Sequence, residues 1–224
     1  MKMMFELMVV VLILSTGLVS GEYFNIDFGN TGWNQAPGID WIPSNTFGAA
    51  ANQPGEWYCI TGPSGSSSMT DITGNNVPVG YSLNVYNQYT GTNYSDSDMG
   101  HLFKDYVSTL SNYPWDFTVR NLQNGTYNIY LYAPERVGIS TGDLDVNGVM
   151  VSDFAGDNSS SLIESVNWKL ATVEVTDGNL SVVRTKSYAV GGSGLSGLQI
   201  APVPEPGTMI LFAGCGLLLR RKIK

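Results

Sequence analysis

Asn121-Leu122-Gln123-Asn124-Gly125-Thr126-Tyr127-Asn128-Ile129-Tyr130-Leu131-Tyr132 is the stretch that decides the fold class. From Tyr127 the side chains alternate between Tyr, Ile, Leu and Asn, Tyr, Tyr, the period-2 pattern of a strand with two unlike faces. Upstream, Asp116-Phe117-Thr118-Val119-Arg120 alternates in the same way. The Asn-Gly between the two runs predicts a β-hairpin, because both residues tolerate positive φ. Working outward, the pattern repeats. Phe24–Phe28, Glu56–Ile60 and Tyr81–Tyr86 read as strands before it. Leu144–Val146 turns at Asn147-Gly148 into Val149–Val151. Trp168–Val175 turns at Asp177-Gly178 into Leu180–Val183, and Leu195–Ile200 closes the set. Eight to ten short strands with such turns predict an all-β sandwich.

One segment departs from period 2. Met99, Leu102, Phe103, Tyr106, Val107 and Leu110 recur at helical spacing, with Asp98 as N-cap. This predicts a single short helix over 98–109, packed on an end of the sandwich and covering an edge. His101, the only histidine, falls on it and reads as a surface or satisfied structural residue.

The two ends have a different grammar. Met1-Lys2, the apolar run Leu7–Leu14 and the small residues Val19-Ser20-Gly21 form the three parts of an export signal, with cleavage expected after Gly21. The run is shorter than the roughly 20 residues a membrane-spanning helix needs, which favours a cleaved signal over a retained anchor. At the other end Val203-Pro204-Glu205-Pro206-Gly207 precedes the apolar run Thr208–Leu219 and the basic stop Arg220-Arg221-Lys222-Ile223-Lys224. The prolines keep the preceding chain extended, and the basic cluster belongs on the cytoplasmic side. A plain C-terminal anchor behind a proline linker would read the same way by length alone.

Pro204-Glu205-Pro206 followed by an apolar run ending in Arg220-Arg221-Lys222 resembles the PEP-CTERM sorting signal of Gram-negative and related environmental bacteria. The resemblance implies recognition by an exosortase, a membrane-embedded cysteine protease or transpeptidase. It also implies anchorage in the cytoplasmic membrane before processing, then delivery to the cell surface or extracellular matrix. The chain therefore divides into an N-terminal signal helix at 1–21, a β-sandwich at 22–201 and a sorting signal with an apolar helix at 202–224.

The middle also carries a resemblance. The stretch 121–132, the Val146-Asn147-Gly148 turn, the Thr176-Asp177-Gly178-Asn179-Leu180 turn and the final strand Leu195–Ile200 are similar to malectin-like and galactose-binding-like jelly rolls. This implies a single jelly-roll-like sandwich. Fold alone does not set function.

Composition narrows the chemistry. Residues 22–203 hold six basic and seventeen acidic side chains, an acidity that leaves no electrostatic footprint for nucleic acid. Cys215 lies in the apolar tail and Cys59 beside aromatics in the core, so no internal disulfide scaffold is expected and Cys59 reads as a buried small hydrophobe. With one histidine and one core cysteine there is no His/Cys zinc set, and no nucleophile elbow accompanies His101. Ser64-Gly65-Ser66-Ser67-Ser68 lacks the lysine of a phosphate loop and reads as flexible.

Aromatic rings outside the strand alternation are the binding candidates. Trp33, Trp41 and Trp57 lie in or beside loops rich in Gly, Asn and Pro, and Tyr94 and Trp115 flank the helix. Such rings stack on the apolar face of a sugar while amides and carboxylates take its hydroxyls; closing the ends of the sandwich is the plainer use of the same rings. The carboxylate pairs Asp96/Asp98 and Asp143/Asp145 suit a structural Ca²⁺, which needs several oxygen ligands, or the acid pair of a glycosidase. The expectation is a noncatalytic surface protein, carbohydrate-binding or structural, with a polysaccharide-acting hydrolase as the alternative. Its partners would be an exosortase, the membrane and extracellular polysaccharide.

Overall fold

The computed structural model describes residues 22–29, 42–60, 65–85, 87–90, 96–109, 114–133, 141–153, 161–184 and 193–204. Two five-stranded sheets form the sandwich. The first runs β12 (Trp168–Val175), β9 (Gly125–Tyr132), β15 (Gly197–Pro202), β1 (Phe24–Asp27), β2 (Trp57–Cys59). The second runs β11 (Val149–Val151), β10 (Leu144–Val146), β13 (Asn179–Arg184), β8 (Asp116–Arg120), β5 (Gly80–Asn84). A three-stranded sheet of β14 (Ser193–Leu195), β7 (Asp105–Thr109) and β6 (Asn87–Thr90), and the pair β3 (Met69–Thr70) and β4 (Asn76–Val77), complete it. These short additions take the strand number past the expected eight to ten.

Alternation sets which side chains meet. Phe24, Ile26, Tyr127, Ile129, Leu131, Ala171, Val173, Val175, Leu198 and Ile200 point inward from the first sheet. Phe117, Val119, Leu144, Val146, Leu180 and Val182 point inward from the second, and all belong to one buried cluster. Phe28 meets Phe117 edge to face at 5.2 Å, the geometry the ring quadrupole favours.

The expected hairpin at Asn124-Gly125 does not form. β8 lies in the second sheet and β9 in the first, so residues 121–124 are a corner between sheets. A two-residue type I′ hairpin needs positive φ at both central residues. Asn147 and Gly148 supply it, at 51° and 88°, and β10 pairs with β11 in register Val146 to Val149. In the corner Asn121 has φ 60° and Gly125 a near-extended 158°, while Asn124 has no positive φ. The turn at Asp177-Gly178 likewise passes between sheets, from β12 to β13. The two corners lock together: Leu122 N donates to Gly178 O at 2.9 Å, Gly178 N to Asn124 Oδ1 at 2.9 Å and Asn124 Nδ2 to Thr176 O at 2.8 Å.

The helix α1 is shorter than its periodicity predicts. It spans Asp98–Lys104, and the N-cap is Ser97, whose Oγ accepts from Gly100 N at 3.1 Å. Asp98 is the first helical residue. Asp105 turns extended and the remaining predicted residues form β7, held between β6 and β14. Tyr106, Val107 and Thr109 are good strand formers, and two neighbouring strands outweigh the i, i+4 pattern. Nor is the serine stretch wholly irregular: Ser66 bridges Tyr81 through both backbone groups, at 3.0 and 2.9 Å, and closes the free edge of β5.

The ends of the sandwich are unlike. At one end lie the turns 71–75, 121–124, 147–148 and 176–178, all short. Side-chain amides tie them to the adjoining structure, with Asn121 Nδ2 on Pro78 O at 3.3 Å, ahead of β5, and Asn147 Nδ2 on Glu174 O at 2.8 Å, on β12. The longer connections leave from the opposite end: those following β1, β2, β9, β11 and β13.

Candidate functional site

The outer face of the first sheet is divided. Asn25, Gln199 and Tyr132 alternate with the inward residues of β1, β15 and β9, yet all three are fully buried. The segment 42–55 and helix α1 cover them. Gln199 Nε2 donates to Asn25 Oδ1 at 2.8 Å and to Gly48 O at 3.1 Å, and Gln199 Oε1 accepts from Ala51 N at 3.2 Å and from the Tyr132 hydroxyl. Gln53 Nε2 donates to Asn25 Oδ1 at 2.9 Å, and Ala50 N donates to Tyr132 Oη at 3.0 Å. Burial pushes the Tyr132 phenol well above its ordinary value, against the opposing pull of the Ala50 and Ala51 amides. An apolar cluster of Trp57, Leu102, Phe103 and Tyr132 lies under the same cover, with Phe47 stacked on Trp57 at 6.1 Å.

Beyond the rim of this cover, the outer-face residues of β9 and β12 are half-buried or exposed. Tyr130 and Trp168, on adjacent strands, lie with ring centroids 5.8 Å apart and planes tilted by 36°. Both are half-buried and rest against the covered cluster. Beside them Leu170 is 41% exposed, and Thr172 Oγ1 donates to Asn128 Oδ1 at 2.7 Å on the next row. Two rings with flanking hydroxyl and amide groups are the composition that sugar recognition uses. Sequence reasoning passed over both rings. The signal was present: Asn128, Tyr130 and Tyr132 share one parity of β9, so two aromatics stand on the polar side of an otherwise amphipathic strand.

The structure places the predicted ligand-binding residues as follows. Trp57 is buried on β2, its Nε1 donating to Phe47 O at 3.2 Å. Trp115 is fully buried in the main core, and its Nε1 has no hydrogen-bond partner among the described residues. Neither ring is presented on a surface, because each fills the junction where the chain enters a strand. Trp33, Trp41 and Tyr94 lie outside the described residues. So do the signal helix and, of the sorting motif, Glu205, Pro206, Arg220, Arg221 and Lys222, whereas Pro204 is described and exposed.

The carboxylate pairs serve backbone geometry. Asp143 precedes β10 and accepts from Asp153 N at 3.0 Å, while Asp145 sits on the strand and accepts from Gly148 N at 2.6 Å. Each carboxylate is thus bonded to a backbone amide of the β10–β11 hairpin or the residues just after it. Asp98 accepts from Ser44 N at 2.6 Å and Ser44 Oγ at 3.0 Å. Asp96 faces His101 Nε2 at 3.0 Å, while His101 Nδ1 meets Ile42 O at 3.2 Å. Helix α1 and the start of the covering segment are stitched by these groups. No cluster of three or more His, Cys, Asp or Glu suited to a metal occurs among the described residues. Cys59 is half-buried on the edge strand β2 rather than buried.

Fold and face together define a two-sheet β-sandwich with an open aromatic patch beside a roofed half-face. The tail is more specific. The family model of the PEP-CTERM protein-sorting motif matches residues 202–222, so the chain carries that motif, which implies exosortase processing and membrane-associated sorting toward the cell surface. No curated protein matches the chain. Among solved structures it is similar to the protein YXIM of Bacillus subtilis, at 18% identity over 82% of this chain and 40% of that one, with a TM-score of 0.40. It is similar to a family 35 carbohydrate binding module from Clostridium thermocellum, at 17% identity over 55% of this chain and 92% of that one, TM-score 0.33. An exo-beta-1,3-galactanase from Phanerochaete chrysosporium is similar at 16% identity over 54% of this chain and 27% of that one, TM-score 0.34.

Proposed function

We propose that this chain is an exosortase-sorted protein of the cell surface or extracellular matrix whose sandwich is a noncatalytic carbohydrate-binding module. The observation that carries the reading is the Tyr130–Trp168 ring pair, half-exposed on a rigid sheet face and bordered by Leu170, Thr172 and Asn128. Rings held by strands cost little ordering entropy when a pyranose stacks on them. The acidity of residues 22–203 disfavours polyanionic glycans and favours neutral ones. The carboxylates that would serve a hydrolase are engaged, Asp143 and Asp145 with the backbone amides of Asp153 and Gly148 and Asp96 and Asp98 with His101 and Ser44, which supports binding over cleavage.

The test is a glycan array, including the host's extracellular polysaccharide, probed with the exported protein and with its Trp168→Ala and Tyr130→Ala variants. Binding to a neutral glycan that each substitution weakens supports the proposal. Binding that both substitutions leave unchanged overturns the assignment of the face, and a folded protein that binds no glycan leaves a structural matrix role.

A further inference from the structure

The sorting motif begins inside the fold. Pro202, its first residue, pairs with Tyr127 on β9, and Val203 N donates to Thr126 O at 2.8 Å. Pro204 is the next residue and is exposed. No spacer separates the sandwich from the motif. The apolar run of the tail begins at Thr208, so the leash from Val203 is five residues and reaches at most about 17 Å when fully extended. The headgroup layer takes about 5–8 Å of that on one side of a bilayer.

The chain enters the sandwich at the same end. Phe24 pairs with Ile200, and Ile72 N donates to Tyr23 O at 3.2 Å. The Tyr127 phenol is pushed up to about 12 by burial and by the neighbouring charge of Glu22. This is the end closed by the short turns 71–75, 121–124, 147–148 and 176–178. From it, an export signal preceding Glu22 and a sorting tail following Val203 both enter one membrane without passing around the fold.

We infer that the end made by these four turns is the surface that faces the cytoplasmic membrane and its exosortase while the tail is uncut. The opposite end, from which the longer connections leave, points away from the bilayer. Asn124 bonds turn 121–124 to turn 176–178, Asn121 bonds Pro78 O ahead of β5 and Asn147 bonds Glu174 O on β12, so three of the turns are tied to their neighbours and this end is held as a plate at the short leash. Cutting the tail frees the plate.

The test uses the full chain in a host whose exosortase is inactivated. Thr176→Cys, on the plate, and Glu164→Cys, beside the start of β12 at the other end, are each made with Cys59→Ser. Labelling by a large membrane-impermeant maleimide is followed on intact spheroplasts, and the modified peptide is identified by mass so that Cys215 does not confuse the reading. Thr176→Cys is expected to react at least about tenfold more slowly than Glu164→Cys, because the short leash leaves little water beneath the plate. A flexible Gly/Ser spacer of about twenty residues between Val203 and Pro204, reaching several tens of ångströms, is expected to bring the two rates together. Equal rates without the spacer would overturn the inference. So would a slow Thr176→Cys rate that the spacer leaves unchanged, since the shielding would then be local to the turn.

Discussion

Tyr132→Phe isolates one hydroxyl on which the covered half of the sheet face depends. The ring stays, so the packing with Trp57, Leu102 and Phe103 is retained. Two partners are lost together: the Ala50 amide, 3.0 Å from the oxygen, and Gln199 Oε1, which keeps only the Ala51 amide. Tyr132 and Gln199 are fully buried, and Ala50 half-buried. A buried donor without a partner costs about 1–3 kcal/mol, more than the net worth of the bond it made. A loss of about 2 kcal/mol lowers Tm by about 4–8 °C in a domain of this size. The assay is urea denaturation paired with amide exchange. Exchange at Ala50 and Ala51 should accelerate more than exchange at Ile129 in the core, because the segment loosens before the sandwich opens. A denaturation midpoint within error of the parent, with Ala50 exchange unchanged, would refute the claim that this hydroxyl holds the cover down. A pH arm follows from the same group. Its folded value lies above the ordinary 10.0, so its contribution is complete below about pH 10 and is lost as pH rises beyond. The variant should show a shallower alkaline fall in stability than the parent.

Other outcomes follow from single residues. Burial raises the Glu22 carboxyl above its ordinary 4.5, with Asp71 adding to the effect. The folded state therefore holds the proton more tightly, and this group adds stability as pH falls through the raised value toward 4.5. Glu22→Gln should be more stable than the parent at pH 7, with the advantage fading near pH 4.5 in thermal melts; equal melting at pH 7 would count against it. Gly148 has φ 88° with nothing within 4 Å of an added Cβ, so Gly148→Ala should cost only the backbone penalty of about 1–2 kcal/mol. Gly80→Ala would set its Cβ 2.4 Å from Ser66 O and should cost more, with the Ser66–Tyr81 bridge broken; a ranking the other way round in denaturant midpoints would contradict the register. Trp168→Ala should abolish glycan retention while leaving the denaturation transition cooperative, because the ring is only half-buried.

Much of the strand set was legible because alternation is local. β1, β8, β9, β10, β11, β12 and β13 lie where period-2 runs placed them, and Asn147-Gly148 is a hairpin because its two residues tolerate the required φ. The end of α1 was not legible. Tyr106 and Val107 suit either a helix face or a strand, and the choice rested on β6 and β14, far away in sequence. Trp57 and Trp115 are candidate binding rings by sequence, but each turns into the interior at a strand entrance, an orientation that depends on the sheet it joins.

Composition and periodicity, which act between near neighbours, were enough for an acidic all-β chain with a sorting tail. Whether Asn124-Gly125 reverses the chain within a sheet or carries it to the other one depends on where β12, β15 and β5 lie, since those strands compete for the edges of β9 and β8. The open Tyr130–Trp168 patch is of the same kind. Its two residues lie on different strands, and the cover over half the face is held by Asn25, Gln53 and Gln199, brought together across most of the chain. Alternation assigns a side chain to a face; the packing of distant segments settles whether that face meets water.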